Sequence, residues 1–77
     1  MPHIVVNLWP GRTDEAKKKL ANRIALTVAE EFEMDTEYVS VAFEEIAEEE
    51  WDAFCQREIG DKLDRVYKKP GDPAIKV

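Results

Sequence analysis

Seventy-seven residues are room for one domain, and a lone cysteine with a lone histidine leaves neither an intrachain disulfide nor a Cys/His zinc site to stabilise it. The net charge of −6 argues against nucleic acid, whose phosphates reward clustered lysine and arginine, and against an anionic membrane surface. No apolar run approaches the roughly 20 residues of a membrane span, so the remaining way to bury more apolar surface is self-association.

The first residues lack the basic stretch of a signal peptide, and Ile4, Val5 and Val6 are followed at once by Asn7 and Pro10. Together with the single thiol of Cys55, this points to the reducing cytoplasm. His3 to Leu8 is β-branched and nearly continuous in apolarity, which predicts a strand buried on both faces. Trp9-Pro10-Gly11 ends it. Thr13 is then placed as a helix N-cap, with Asp14 and Glu15 at the positive end of the helix. Leu20, Ala21, Ile24, Ala25, Val28 and Phe32 form a stripe of helical period that predicts a helix of about 20 residues, fading near Glu33.

Met34 to Tyr38 reads as a short connection, and Val39 to Phe43 as a second strand. Strand, long helix and strand make a right-handed βαβ unit with parallel strands. A second helix is expected from Glu48 to Lys69, weakened at Gly60 and stopped by Pro70-Gly71. Residues 71–77 read as a tail that docks on a neighbour. The expected whole is a single α/β (α+β) domain over 1–77, ordered β-α-β-α, with its sheet extended by oligomerisation.

Pro2 followed by a strand, Pro10-Gly11-Arg12-Thr13-Asp14-Glu15 at the helix entrance, and Trp51 after the second strand form a pattern spanning nearly the whole chain. It resembles the 4-oxalocrotonate tautomerase family, whose short members begin with proline once methionine is removed. The long second helix ending at Lys68-Lys69-Pro70-Gly71 resembles a bacterial subgroup that forms dimers rather than hexamers. The resemblance implies a cofactor-independent isomerase acting on a small enol or dienol carboxylate, with Pro2 as proton carrier. Many relatives carry an arginine for a second substrate carboxylate where this chain has Ser40, which favours a monoacid such as an arylenolpyruvate over a diacid.

The chemistry of the residues agrees. Proline alone offers a secondary amine at a chain start, and a base works best with a pKa near the working pH. An apolar pocket lowers the pKa of an ammonium because desolvation penalises its charge. Ile4, Leu8 and Trp51 are candidates for that pocket; Pro2 could otherwise simply begin an edge strand. Arg12 suits a carboxylate through its planar fork of donors beside a helix N-terminus, or pairs in solvent with Asp14 or Glu15. The resemblance implies that Ser40 offers the substrate a hydrogen bond and that Trp51 flanks the hydrocarbon; read by itself, Trp51 equally packs in a core.

Other residues read more simply. His3 faces the opposite strand side from Pro2 and Ile4, with a hydrogen bond across an interface as its expected use. Cys55 packs on the second helix, while Trp9 suits the site or a subunit contact equally. Glu44 and Glu45 read as part of the Glu48–Glu50 charge run facing solvent. Two other functions fit the same chain: a non-enzymatic interaction subunit, indifferent to replacement of Pro2, and a hydratase or dehalogenase of haloacrylates using Glu45.

Overall fold

The computed structural model describes residues 1–76. The chain divides into two compact units, Met1–Ala47 and the stretch from Glu48 onward. In the first unit, β1 (His3–Leu8) and β2 (Ser40–Glu45) pair in parallel, with His3 opposite Ser40 and Leu8 opposite Glu45. The ladder continues past both ends, since Ser40 N–H donates to the Pro2 carbonyl at 3.1 Å and Ile46 N–H to the Leu8 carbonyl at 2.8 Å.

The crossover between the strands is α1 (Asp14–Phe32). Thr13 caps it as expected: its Oγ accepts from the Ala16 N–H at 3.1 Å, with Asp14 and Glu15 in the first turn. At the other end Glu33 adopts the left-handed conformation, φ 52°, and the N–H groups of Glu33 and Met34 both return to the Ala29 carbonyl. A turn of 3₁₀ helix at Thr36–Tyr38 leads into β2.

β2 starts and ends later than the Val39–Phe43 pattern suggests. Val39 N–H closes the 3₁₀ turn on the Thr36 carbonyl at 3.1 Å, and pairing with β1 carries the strand on through Glu44 and Glu45. Glutamates that look like the start of a helix are thereby drawn into the sheet.

The expectation that β1 is buried on both faces is not met. Leu8, Val41 and Phe43 share hollows with Ala16, Lys17, Leu20 and Ala21, so α1 covers that face of the sheet. By alternation Ile4 and Val6 lie on it too. His3, Val5, Asn7, Ser40, Ala42 and Glu44 form the other face, on which His3 and Val5 are exposed. Only one helical layer belongs to this unit, and one layer covers one face. Ala29 is the sole buried apolar residue here among those described, while Leu26 and Phe32 of α1 remain 60% and 66% exposed.

In the second unit a 3₁₀ turn (Glu48–Glu50) opens α2 (Trp51–Glu58). The Trp51 and Phe54 rings stack with centroids 5.2 Å apart, and the Arg57 guanidinium lies 5.8 Å from the Phe54 ring centre. The expected long helix to Lys69 is not formed, because α2 stops after eight residues. Ile59 leaves the helical region, and Gly60–Arg65 continues as 3₁₀ turns interrupted at Lys62 (φ −131°). Side chains hold this break: Gln56 Nε2 donates to Asp61 Oδ1 at 2.8 Å, and a Cβ on Gly60 would lie 2.7 Å from that Nε2. Leu63 and Tyr67 continue the helical spacing in the sequence but are exposed, so no buried stripe rewards a longer helix. Gly71, φ 92°, permits the Pro70-Gly71 turn, which Asp72 N–H closes on the Lys69 carbonyl. The expected tail runs without regular structure to Lys76, and Val77 lies outside the described residues. The arrangement is β-α-β-α with parallel strands, the α/β (α+β) class expected.

Two outcomes follow from these contacts. Thr13→Ala should cost about 1 kcal/mol of stability, read from thermal or urea unfolding. The Lys62 hydrogen bond, and then its charge, hold the Glu58 carboxyl below its ordinary value of 4.5. A depressed carboxyl contributes stability above that ordinary value and loses it as pH falls through the folded-state value. The stability difference between the wild type and Lys62→Met should therefore be present at pH 7 and shrink under acid.

Candidate active site

Gly11, at φ 121°, makes the bend that a side-chain-bearing residue would resist, and delivers Arg12 to the entrance of α1. Arg12 lines a cleft of about 340 Å³ with Leu8, Ala16, Lys17, Leu20 and Phe43. Its guanidinium makes no ion pair with Asp14, Glu15 or any other described residue. An unpaired, planar, five-donor cation sits beside a helix N-terminus over apolar walls, an arrangement suited to one carboxylate with a hydrocarbon body.

Lys17 is the residue that sequence reasoning missed in this cleft. Its Nζ lies 2.8 Å from Glu45 Oε2, joining α1 to β2. Its side chain is 19% exposed against 41% for Glu45. Glu45 is therefore exposed, as expected, but as the last residue of β2 paired with Lys17 rather than as part of a helix-start run. The signal lay in parity: Val41, Phe43 and Glu45 alternate onto the helix-facing side once Leu8 is set opposite Glu45.

Pro2 is half-buried at the start of β1, with Met1 before it 90% exposed. Strand rise places Pro2 about 20 Å from Leu8. One chain therefore does not bring Pro2 and Arg12 together. Leu8, expected beside Pro2, lines the Arg12 cleft at the far end of the strand instead, whereas Ile4 shares the face and the end of the strand that Pro2 occupies.

Ser40 lies next to Pro2 through the backbone, and its Oγ is hydrogen-bonded to His3 Nδ1 at 2.6 Å on the face away from α1. His3 thus makes a hydrogen bond within the chain. Trp51 belongs to the second unit, where it is half-buried against Phe54; Cys55 beside them is a half-buried free thiol. A larger hollow of about 450 Å³ between Tyr67, Lys68 and the Asp72–Ile75 segment has Tyr67 and Ile75 almost fully exposed as its walls, and offers no comparable seat for a ligand. Among the described residues no group of His, Cys, Asp and Glu is arranged to hold a metal ion, and no helix is long and apolar enough to cross a membrane.

A proline-initiated strand, a helix entrance bearing a free arginine and a parallel βαβ unit agree with the comparisons to known proteins. The family described as tautomerase enzyme matches residues 2–53, and the chain belongs to that family. It is 40% identical over 73 residues to Tautomerase PptA of Enterobacter sp. (strain 638), covering 92% of this chain and 96% of that protein. It is 35% identical over 75 residues to a probable tautomerase of Xylella fastidiosa, covering 92% and 88%. Against Tautomerase PptA of Escherichia coli O157:H7 the identity is 32% over 72 residues, covering 92% and 96%. The protein is a tautomerase.

Proposed function

We propose that the chain, after loss of Met1, ketonises an arylenolpyruvate or a 2-hydroxydienoate, with Pro2 as proton carrier and Arg12 as carboxylate anchor. The observation that carries this reading is the unpaired Arg12 over an apolar cleft at the entrance of α1. While Met1 is attached, the Pro2 nitrogen is an amide without basicity. Freed, its lone pair takes the enol hydroxyl proton, and the enolate electron pair moves to C3 or, through the diene, to C5. The ammonium N–H then returns a proton to that carbon, so the prolyl amine ends as it began. Arg12 stabilises the charge on the carboxylate and along the enolate.

The strand length between Pro2 and Arg12 argues for a site assembled from two chains, Pro2 of one facing Arg12 of another. The thin core of the first unit and the exposed Val5, Leu20, Leu26 and Phe32 supply apolar surface for such association. A dimer is the simplest assembly, with a hexamer as its elaboration. Ser40, tied to His3, carries no charge for a second carboxylate, which supports a monoacid. Glu45, the carboxylate a hydration reaction would use, is held by Lys17, which favours tautomerisation over hydration. The lone thiol supports a cytoplasmic setting, and Trp51 is assigned to the hydrocarbon side of the substrate on the family resemblance alone.

Ketonisation of phenylenolpyruvate, followed by ultraviolet absorbance on protein shown by intact mass to lack Met1, tests the reading. Pro2→Ala should lower kcat/KM by about 10²-fold, the scale of general acid–base catalysis. Arg12→Ala should raise KM by roughly tenfold or more, as expected for removing a charge-assisted hydrogen bond. Equal turnover in wild type and Pro2→Ala would remove proline from the mechanism.

A further inference from the structure

The Arg12 cleft has two cations in its wall, and the structure treats them differently. Arg12 is unpaired, whereas Lys17 delivers its Nζ to Glu45 Oε2 at 2.8 Å and is mostly buried in doing so. The remaining walls, Leu8, Ala16, Leu20 and Phe43, carry no charge. Asp14 and Lys18 lie with Lys17 in the adjoining hollow, where their opposite charges offset. One positive charge is thus left open to a ligand inside the cleft.

We propose that the Lys17–Glu45 ion pair is a specificity-determining element that withholds the second cation of the cleft and so restricts it to monocarboxylates. The proposal rests on Arg12 being the carboxylate anchor. A ligand with a carboxylate on Arg12 and a second one reaching Lys17, which lines the same cleft, meets a lysine already neutralised, with Glu45 carrying a like charge beside it. To bind, the second carboxylate must displace Glu45 or endure its repulsion. A partly exposed ion pair contributes little to stability, so the consequence of this one lies in which charges it leaves free. It is also a separate device from Ser40, which faces the other side of the sheet.

The test is calorimetric binding of two matched, unreactive probes to the Met1-free protein: 3-phenylpropanoate and 3-(4-carboxyphenyl)propanoate. Wild type should prefer the monoacid. Glu45→Gln frees Lys17 and should shift the affinity ratio toward the diacid by about tenfold or more, the effect of one charge-assisted contact. Glu45→Asp, which keeps the charge, should stay near the wild-type ratio. In Lys17→Met/Glu45→Gln the gain should vanish, because the cation that produced it is gone. An unchanged ratio in Glu45→Gln, or the same gain in the double variant, would overturn the proposal.

Should Glu45→Gln fail to fold, Lys17→Met leaves Glu45 uncompensated at the cleft and should weaken monoacid binding by about threefold or more through like-charge repulsion; unchanged binding would overturn the proposal equally. Monoacid binding that is insensitive to Arg12→Ala would do the same, by removing the cleft as the seat of the acid. Because binding needs no turnover, a failure of Pro2 to catalyse is read separately, in the kinetic assay.

Discussion

Parallel strands cannot be joined by a tight turn; their connection must travel back along the sheet, and here α1 makes that journey between Leu8 and Ser40. The parallel register of β1 on β2 therefore decides where everything else lies. It sets α1 over one face of the sheet and leaves His3, Val5 and Ser40 on the other. It puts the start of β1, with Pro2, at one end of the layer and the entrance of α1, with Arg12, at the other. It also turns Glu45 toward Lys17. A unit with one helical layer and one buried apolar residue among those described has little core of its own, and the same topology sets Pro2 and Arg12 at opposite ends of it.

The chemistry of the cleft depends on local details of that topology. A glycine at φ 121° makes the bend before Arg12, and Thr13 uses its side chain to satisfy a helix donor, so Arg12 stands at a well-formed helix entrance. Its charge stays available because the nearest acids do other things: Asp14 and Glu15 flank the helix start without pairing to it, and Glu45 is taken by Lys17. Charge arrangement rather than charge total distinguishes this cleft, since the chain as a whole is acidic.

Elements held by local patterns were legible in the sequence. β1 spans the residues its β-branched run indicates, and α1 starts at the threonine cap and ends at Phe32, one residue before the Glu33 at which its apolar stripe was expected to fade. What local pattern does not encode was misread. The apolar spacing of Ile59, Leu63, Val66 and Tyr67 suggests a continuous helix, but the turn at Gly60, secured by Gln56 and Asp61, breaks it, and Leu63 and Tyr67 are left exposed. The burial of β1 was overestimated because apolarity reports what a strand could bury, not how many layers the chain supplies. The Lys17–Glu45 pair was invisible for a related reason: it joins residues 28 positions apart through a register that no short window contains. Arg12 and Pro2 stood out because their chemistry is unusual at those places, whereas the distance between them emerges only from the fold.

Subunit mixing tests the central claim most directly. Met1-free Pro2→Ala and Arg12→Ala proteins, each nearly inactive alone, would be unfolded together, refolded as a mixture, and assayed for ketonisation of an arylenolpyruvate. If each site takes Pro2 from one chain and Arg12 from another, mixed dimers contain one intact site, and statistical mixing should restore about a quarter of wild-type activity. If both residues served the same site from a single chain, no mixture could combine them, and activity would stay at the level of the separate variants.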